Sequence, residues 1–445
     1  MTAWQGIGLC GVWLLCVGLV AQSIASEYRR HGFSFHGVFS LAYLVTFYGG
    51  FPFTAILAFH FNVQPVGAEA LLQALLAAAA FYAVYLAGYR IWRPSANGSA
   101  HAFSVGMNRA EALLTAGLLG AVAVMTAAVF FANNGFLLFR LHSYSQIFSR
   151  DVSGVALKRF FYFFLPAMLV WFFLYQTQRA WLAFLLTTAT FGALTYLIVG
   201  GTRANLMMAL TLFVCIGVAR GWIALRWIAV VGLASVALMF WLALRRYGLN
   251  VHGEQAFYTF LYLTRDSFSP WENLALLCQR YEQIVLQGLA PIARDFYVFI
   301  PAWLWPERPA QILNSANYFT WEVLNYHAGL AMSPTLLGSL LVMVGWWGLL
   351  PGAILVGWII KGFDVLYQQG CRTTNRALAA VIRAFCFGAL FNLIVLVREG
   401  LDAFVSRMVF FSLVFIASVL IAKGLYRLLV RAGVITDAPS TGVGE

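Results

Sequence analysis

A chain of 445 residues that is 62% hydrophobic and only 10% charged has too few polar side chains to cover a water-soluble globule of that size. Its formal charge of +12 comes with no basic run and no fold to present one, which points away from nucleic acid and towards the loop charges that set membrane topology. Apolar runs long enough to cross a bilayer, about 20 residues each, recur along it.

In chain order, about eleven spans are predicted, near residues 4–25, 38–59, 69–89, 112–132, 160–175, 181–199, 205–219, 227–244, 334–360, 377–397 and 408–426. Backbone polar groups cannot stay bare in lipid, and no short alternating barrel pattern is present, so the spans are helices. The expected fold is an all-α polytopic membrane protein, residues 1–445 forming a single transmembrane domain. Met1 to Ser26 has no basic residue before its apolar core, whereas Arg29 and Arg30 follow it, so this segment reads as a retained span and not a cleavable signal. The short connections carrying Arg29, Arg90, Arg179, Arg220, Arg372 and Arg427 are cation-rich and are expected to be cytoplasmic. An odd number of spans then places the N-terminus outside and the C-terminus inside. No repeat is visible and the two halves do not mirror each other in loop length, which weakens a transporter reading. Cysteines show no disulfide or zinc spacing; Cys278 alone falls in an external loop.

Two external segments are long, 133–159 and 245–332. The second carries internal structure. Ser269-Pro270-Trp271-Glu272 has the grammar of a capping box, and Leu274, Leu277, Tyr281 and Ile284 recur at helical spacing until Gly288 and Pro291 end the run. An amphipathic helix is predicted there, along the membrane surface or over the bundle. Phe299 to Pro306 is aromatic and proline-rich, and Ser333-Pro334 starts the next span with the same grammar. The segment reads as a folded lid.

Most charges capable of chemistry crowd this side. Arg203 sits in the tight turn Val199 to Asn205; a snorkelling arginine at a helix end would look the same. Arg245, Arg246, Arg265, Arg294, Arg398 and Arg407 lie on the same side. Arginine forks bind phosphate or carboxylate in two-pronged fashion, so the group makes an anion site suited to a pyrophosphate, although each cation alone also has a structural reading. Arg398 and Asp402, four apart, could pair on one helical face. Candidate bases are Asp266, Glu399, Asp402 and His327, among which geometry must choose. HExxH, Asp-x-Asp, Gly-x-Ser-x-Gly and Walker patterns are absent, which points away from metal-dependent or nucleotide-driven chemistry and towards an activated lipid-linked donor.

The blocks Val199 to Asn205, Phe240 to Gly248, Ala256 to Asn273, Asn314 to Glu322 and Val397 to Arg407 resemble the enterobacterial common antigen polymerase family, Wzy-type enzymes of the bacterial inner membrane, and the likeness spans nearly the whole chain. The resemblance implies a GT-C-like helical bundle and a glycosyltransferase active at the periplasmic face. It would move the growing polysaccharide from its undecaprenyl-diphosphate carrier onto a newly flipped lipid-linked trisaccharide of N-acetylglucosamine, N-acetylmannosaminuronic acid and 4-acetamido-4,6-dideoxygalactose. It also implies a chain-length-regulating co-polymerase as partner, while the absent motifs call for no cofactor. In that chemistry Arg203, Arg246, Arg265, Arg398 and Arg407 would hold the leaving diphosphate, and Asp266, Glu399 or Asp402 would take the acceptor proton. A flippase of the same lipid-linked sugar is the competing reading. It would want ionisable residues deep inside spans, and Arg383 is the main exception to a pattern of charges near span ends. An O-antigen ligase would differ only in its acceptor.

Overall fold

The computed structural model describes residues 3–64, 66–92, 106–140, 152–201, 204–224, 251–297, 313–327 and 331–434, with a few isolated residues between them; of the side chains at 263–268, 295 and 297 nothing is said. The regular elements among the described residues are all helical, with no strand. Two compact units form: Met1–Arg93, Ala224–Gly362 and Asn392–Met408 make the first, and Pro94–Ile223, Phe363–Phe391 and Val409–Glu445 the second.

Among the described residues nine helices are long and apolar enough to cross a membrane. They account for all but two of the predicted spans. The 205–219 span is the shorter apolar helix Ala204–Ala219, and 227–244 lies almost wholly outside the described residues. The 334–360 span is divided: Thr335–Val344 ends at Gly345, whose φ of +71° stops the helix, and the membrane-length helix is Trp346–Arg372.

In the first unit, α1 (Ala3–His31), α2 (Phe35–Tyr48) and α4 (Ala68–Ile91) enclose an aromatic and polar core, with α3 (Phe51–Phe59) continuing α2 after a break at Gly49 and Gly50. Most buried polar groups there find partners, as an apolar medium demands, the Tyr48 hydroxyl being an exception. Tyr43 donates to the Ala78 carbonyl at 2.7 Å, Tyr82 to Ser40 at 2.7 Å, and His36 lies between Ser23 at 3.0 Å and the Tyr85 hydroxyl at 2.7 Å.

The predicted lid helix exists but is shorter than its periodicity suggests. It spans Trp271–Gln279 (α5), a 3₁₀ turn follows at Tyr281–Gln283, and irregular chain leads on to the turn at Gly288. The capping box does not form. Pro270 occupies the cap, the Ser269 hydroxyl donates instead to the Thr46 carbonyl at 2.6 Å, and Glu272 accepts from the Thr54 hydroxyl. The helix start is therefore anchored to the α2–α3 break, where Gly50 leaves room: a Cβ there would sit 2.9 Å from Trp271 Cδ1. Trp271, Leu274 and Leu277 are buried, so the helix packs within the unit and does not float on a lipid surface. Replacing Glu272 with alanine removes the lid's hydrogen bond to Thr54, whose hydroxyl keeps only the Gly50 carbonyl at 3.2 Å, and should destabilise the first unit by about 1–3 kcal/mol, read as a lowered melting temperature in detergent.

The rest of the lid closes on α6 (Thr335–Val344). Leu277, Tyr318, Phe319, Val323 and Val342 form one apolar cluster. Gln287 and Gly288 donate backbone N–H groups to the Val342 and Met343 carbonyls at 3.0 and 2.8 Å, satisfying two carbonyls that a helix end leaves open. Burial also pushes the Cys278 thiol up to about 12, so the one cysteine read as external is an inert core residue.

In the second unit, Arg109–Asn134, Phe164–Tyr175, Gln178–Val199, Ala204–Ala219 and Arg376–Gly388 pack through aromatic pairs: Trp181 stacks on Phe213 at 3.9 Å, and Tyr162 donates to the Gly388 carbonyl at 2.6 Å.

Candidate active site on the Arg398–Arg407 connection

The helix Leu390–Arg398 stops at Gly400, whose φ of +120° suits only glycine, and Leu401–Arg431 begins directly afterwards. This two-residue break presents Arg398 and Glu399 sideways and turns Asp402 inward. Two serines hold the break. Ser333 donates to the Arg398 carbonyl, Leu401 N–H donates to Ser339 Oγ at 3.0 Å, and Ser339 donates in turn to the Leu336 carbonyl at 2.9 Å. Asn273 of the lid helix donates to the Ser333 carbonyl at 2.9 Å, which ties the lid to the same point.

Asp402 is 2% exposed. Its Oδ2 accepts the Ser315 backbone N–H at 2.8 Å, at the start of the lid's Ser315–Tyr318 turn, while its Oδ1 and the Ser315 hydroxyl are buried without hydrogen-bond partners. A carboxylate so placed anchors the lid; it cannot reach an acceptor hydroxyl without moving. The proposed Arg398–Asp402 pair is not made, because the Gly400 break points one side chain outward and the other in. The ion pair on this connection is Arg407 to Glu399 at 2.6 Å, with the two side chains 34% and 36% exposed. A pair so open is worth at most about 1 kcal/mol, so an incoming anion can compete for Arg407 and release Glu399.

One point near the break is strained. Thr335, fully buried at the head of α6, has φ +70°, a region that β-branched residues rarely occupy. The π-helical turn Phe319–Val323 follows Ser315–Tyr318, and its Thr320 hydroxyl accepts the Met332 N–H at 2.7 Å. Strain and π turns of this kind concentrate at functional sites, and both lie beside the lid anchor.

His327 is exposed; its Nε2 lies 3.2 Å from Asn325 Oδ1 and its ring 6.3 Å from that of Trp321. Arg203 and Arg246 lie outside the described residues, and Arg265 and Asp266 fall on the helix Gly253–Phe268 with side chains outside them. Of the nine candidates, the structure brings Glu399 and Arg407 into contact, leaves Arg398 exposed on the same connection and turns Asp402 inward to Ser315. Sequence reasoning missed Ser315, Ser339 and Asn273. Ser315 follows a visible cap residue, Asn314, which accepts from Asn317 N–H at 2.8 Å, but Ser339 sits in an apolar run that gives no sign of its role.

The sequence matches, over residues 1–443, the family model described as WzyE protein, O-antigen assembly polymerase. No solved structure matches the chain.

Proposed function

Because the chain belongs to the WzyE family of O-antigen assembly polymerases, we propose that it extends enterobacterial common antigen at the periplasmic face of the inner membrane, using undecaprenyl-diphosphate-linked trisaccharide as substrate. Membership makes it a polysaccharide polymerase, and its apolar helices make it a multi-pass membrane protein. The observation that carries the mechanistic reading is the half-exposed Glu399–Arg407 pair on a rigidly held break.

The hydroxyl oxygen of the new repeat's terminal sugar bonds to the anomeric carbon of the growing chain as that carbon's bond to the diphosphate oxygen breaks. The electron pair leaves with undecaprenyl diphosphate. Arg407, drawn from Glu399 by the diphosphate, and exposed Arg398 meet the developing charge, with Arg203, Arg246 and Arg265 as further candidates for the same cage. Glu399, released, takes the hydroxyl proton. Asp402 is a positioning residue that keeps lid and connection in register. Asp266 and His327 are the alternative bases, and amide or glutamine replacements separate them from Glu399. A chain-length-regulating co-polymerase would set the length of the product and not the chemistry.

Purified protein in liposomes, given only undecaprenyl-diphosphate trisaccharide with chelator and no nucleotide, should produce a ladder of longer lipid-linked glycans. No ladder from folded protein would sink the self-sufficient, metal-independent reading. Alanine at Arg203, Arg265 and Arg398 should each suppress the ladder; three intact ladders would remove the arginine cage.

A further inference from the structure

Arg383, the main exception to the pattern of charges near span ends, has no part in the chemistry above. It lies in the second unit on Arg376–Gly388 and lines a cavity of about 190 Å³ together with Arg220, Tyr367, Cys371, Phe173 and Phe387. Arg383 Nε donates to the Gly370 carbonyl at 3.0 Å, and Arg220 donates to the Gln176 side chain, so both guanidinium groups are held in place by neutral acceptors. Neither has a carboxylate within ion-pair distance among the described residues. Burial and then the Arg383 charge draw the Arg220 pKa below its usual value, the condition of a cation that lacks a counter-ion.

Two fixed guanidinium groups, a phenol and apolar walls describe a receptor for a tetrahedral oxyanion, which arginine forks meet with several donors at once. Basic pockets between transmembrane helices on the cytoplasmic side hold lipid headgroups in this manner. Arg220 and Arg372, the latter one residue from Cys371, belong to the connections whose charge marks them as cytoplasmic, away from the proposed chemistry. We propose that this cavity binds a phosphate-bearing anion through Arg220 and Arg383, as a second site separate from the polymerase centre. The donor sources are an anionic phospholipid headgroup or free phosphate.

Cys371 is exposed and lines the cavity, so it reports occupancy. The full chain in phosphatidylcholine nanodiscs is treated with a small neutral maleimide, and modification of the Cys371 peptide is followed by mass spectrometry. One arm adds phosphatidylglycerol to the bilayer; the other adds inorganic phosphate, with chloride at matched ionic strength as control. At least one should slow Cys371 labelling several-fold. Protection by phosphatidylglycerol alone assigns a lipid headgroup, and protection by phosphate in either lipid assigns a soluble anion. Arg220→Gln should abolish the protection, and so should Arg383→Lys, which keeps the charge but loses the fork; Arg220 lies on the cavity rim, so its replacement spares the fold if the Arg383 variant does not fold. Equal labelling in all arms, or protection that survives Arg220→Gln, overturns the proposal. The polymer ladder plays no part in this readout, so failure here leaves the polymerase reading standing.

Discussion

A Glu399→Gln variant is expected to fold normally and to extend polymer about 10²–10⁴-fold more slowly, the usual contribution of a general base. The amide oxygen can still accept from Arg407, so the connection keeps its shape; what is lost is the ability to hold a proton. Initial rates in liposomes, paired with melting temperatures, separate the two. A rate within a few-fold of the parent would move the base to Asp266 or His327, whose asparagine and glutamine variants would then be measured in the same assay.

Asp402 provides the contrast. An Asp402→Asn side chain can accept the Ser315 N–H through its amide oxygen and can offer its NH₂ to the Ser315 hydroxyl, which lacks a hydrogen-bond partner. It should retain most of the rate. Asp402→Ala leaves a buried N–H without an acceptor, at about 1–3 kcal/mol, and should loosen the lid and lower the melting temperature. If Asp402→Asn instead eliminated activity at unchanged stability, the inward carboxylate would be the base and its burial a resting state.

The spans were legible because a 20-residue apolar run has few alternatives to a membrane helix, and the charge at their ends was legible for the same reason. Pairing was not. The sequence suggests Arg398 with Asp402 by i,i+4 spacing, but a glycine between them ends one helix and starts another, and Arg407 then reaches Glu399. The lid helix is legible in the sequence but its cap is not, because a Ser-Pro-x-Glu pattern satisfies local grammar while the real partners, Thr46 and Thr54, lie far away in sequence. Serines and glycines that hold a site by backbone contacts carry no charge or periodicity to betray them. Ser339 and Gly400 are the instances here, and only packing reveals them.

Gly400→Ala is expected to damage both the stability and the activity of the first unit. A Cβ at this position would lie 2.5 Å from Ser339 Oγ and nearer still to Ser339 Cβ, at a φ of +120°. Backbone strain there is of order 1–3 kcal/mol, and overpacking a full core adds about 1–3 kcal/mol more. Ser339 has nowhere to go: it is fully buried, donates to the Leu336 carbonyl and accepts the Leu401 N–H. Displacing it would free the first N–H of the outgoing helix and shift Glu399, one residue away, out of register with Arg407. Stability and polymerisation should therefore fall together. A Ser339→Gly change in the Gly400→Ala background removes the collision but not the strain, so it should recover part of the melting temperature and little of the rate. Full recovery of both would mean that the left-handed backbone at residue 400 is unimportant, and that contact alone holds the Glu399–Arg407 pair where the chemistry needs it.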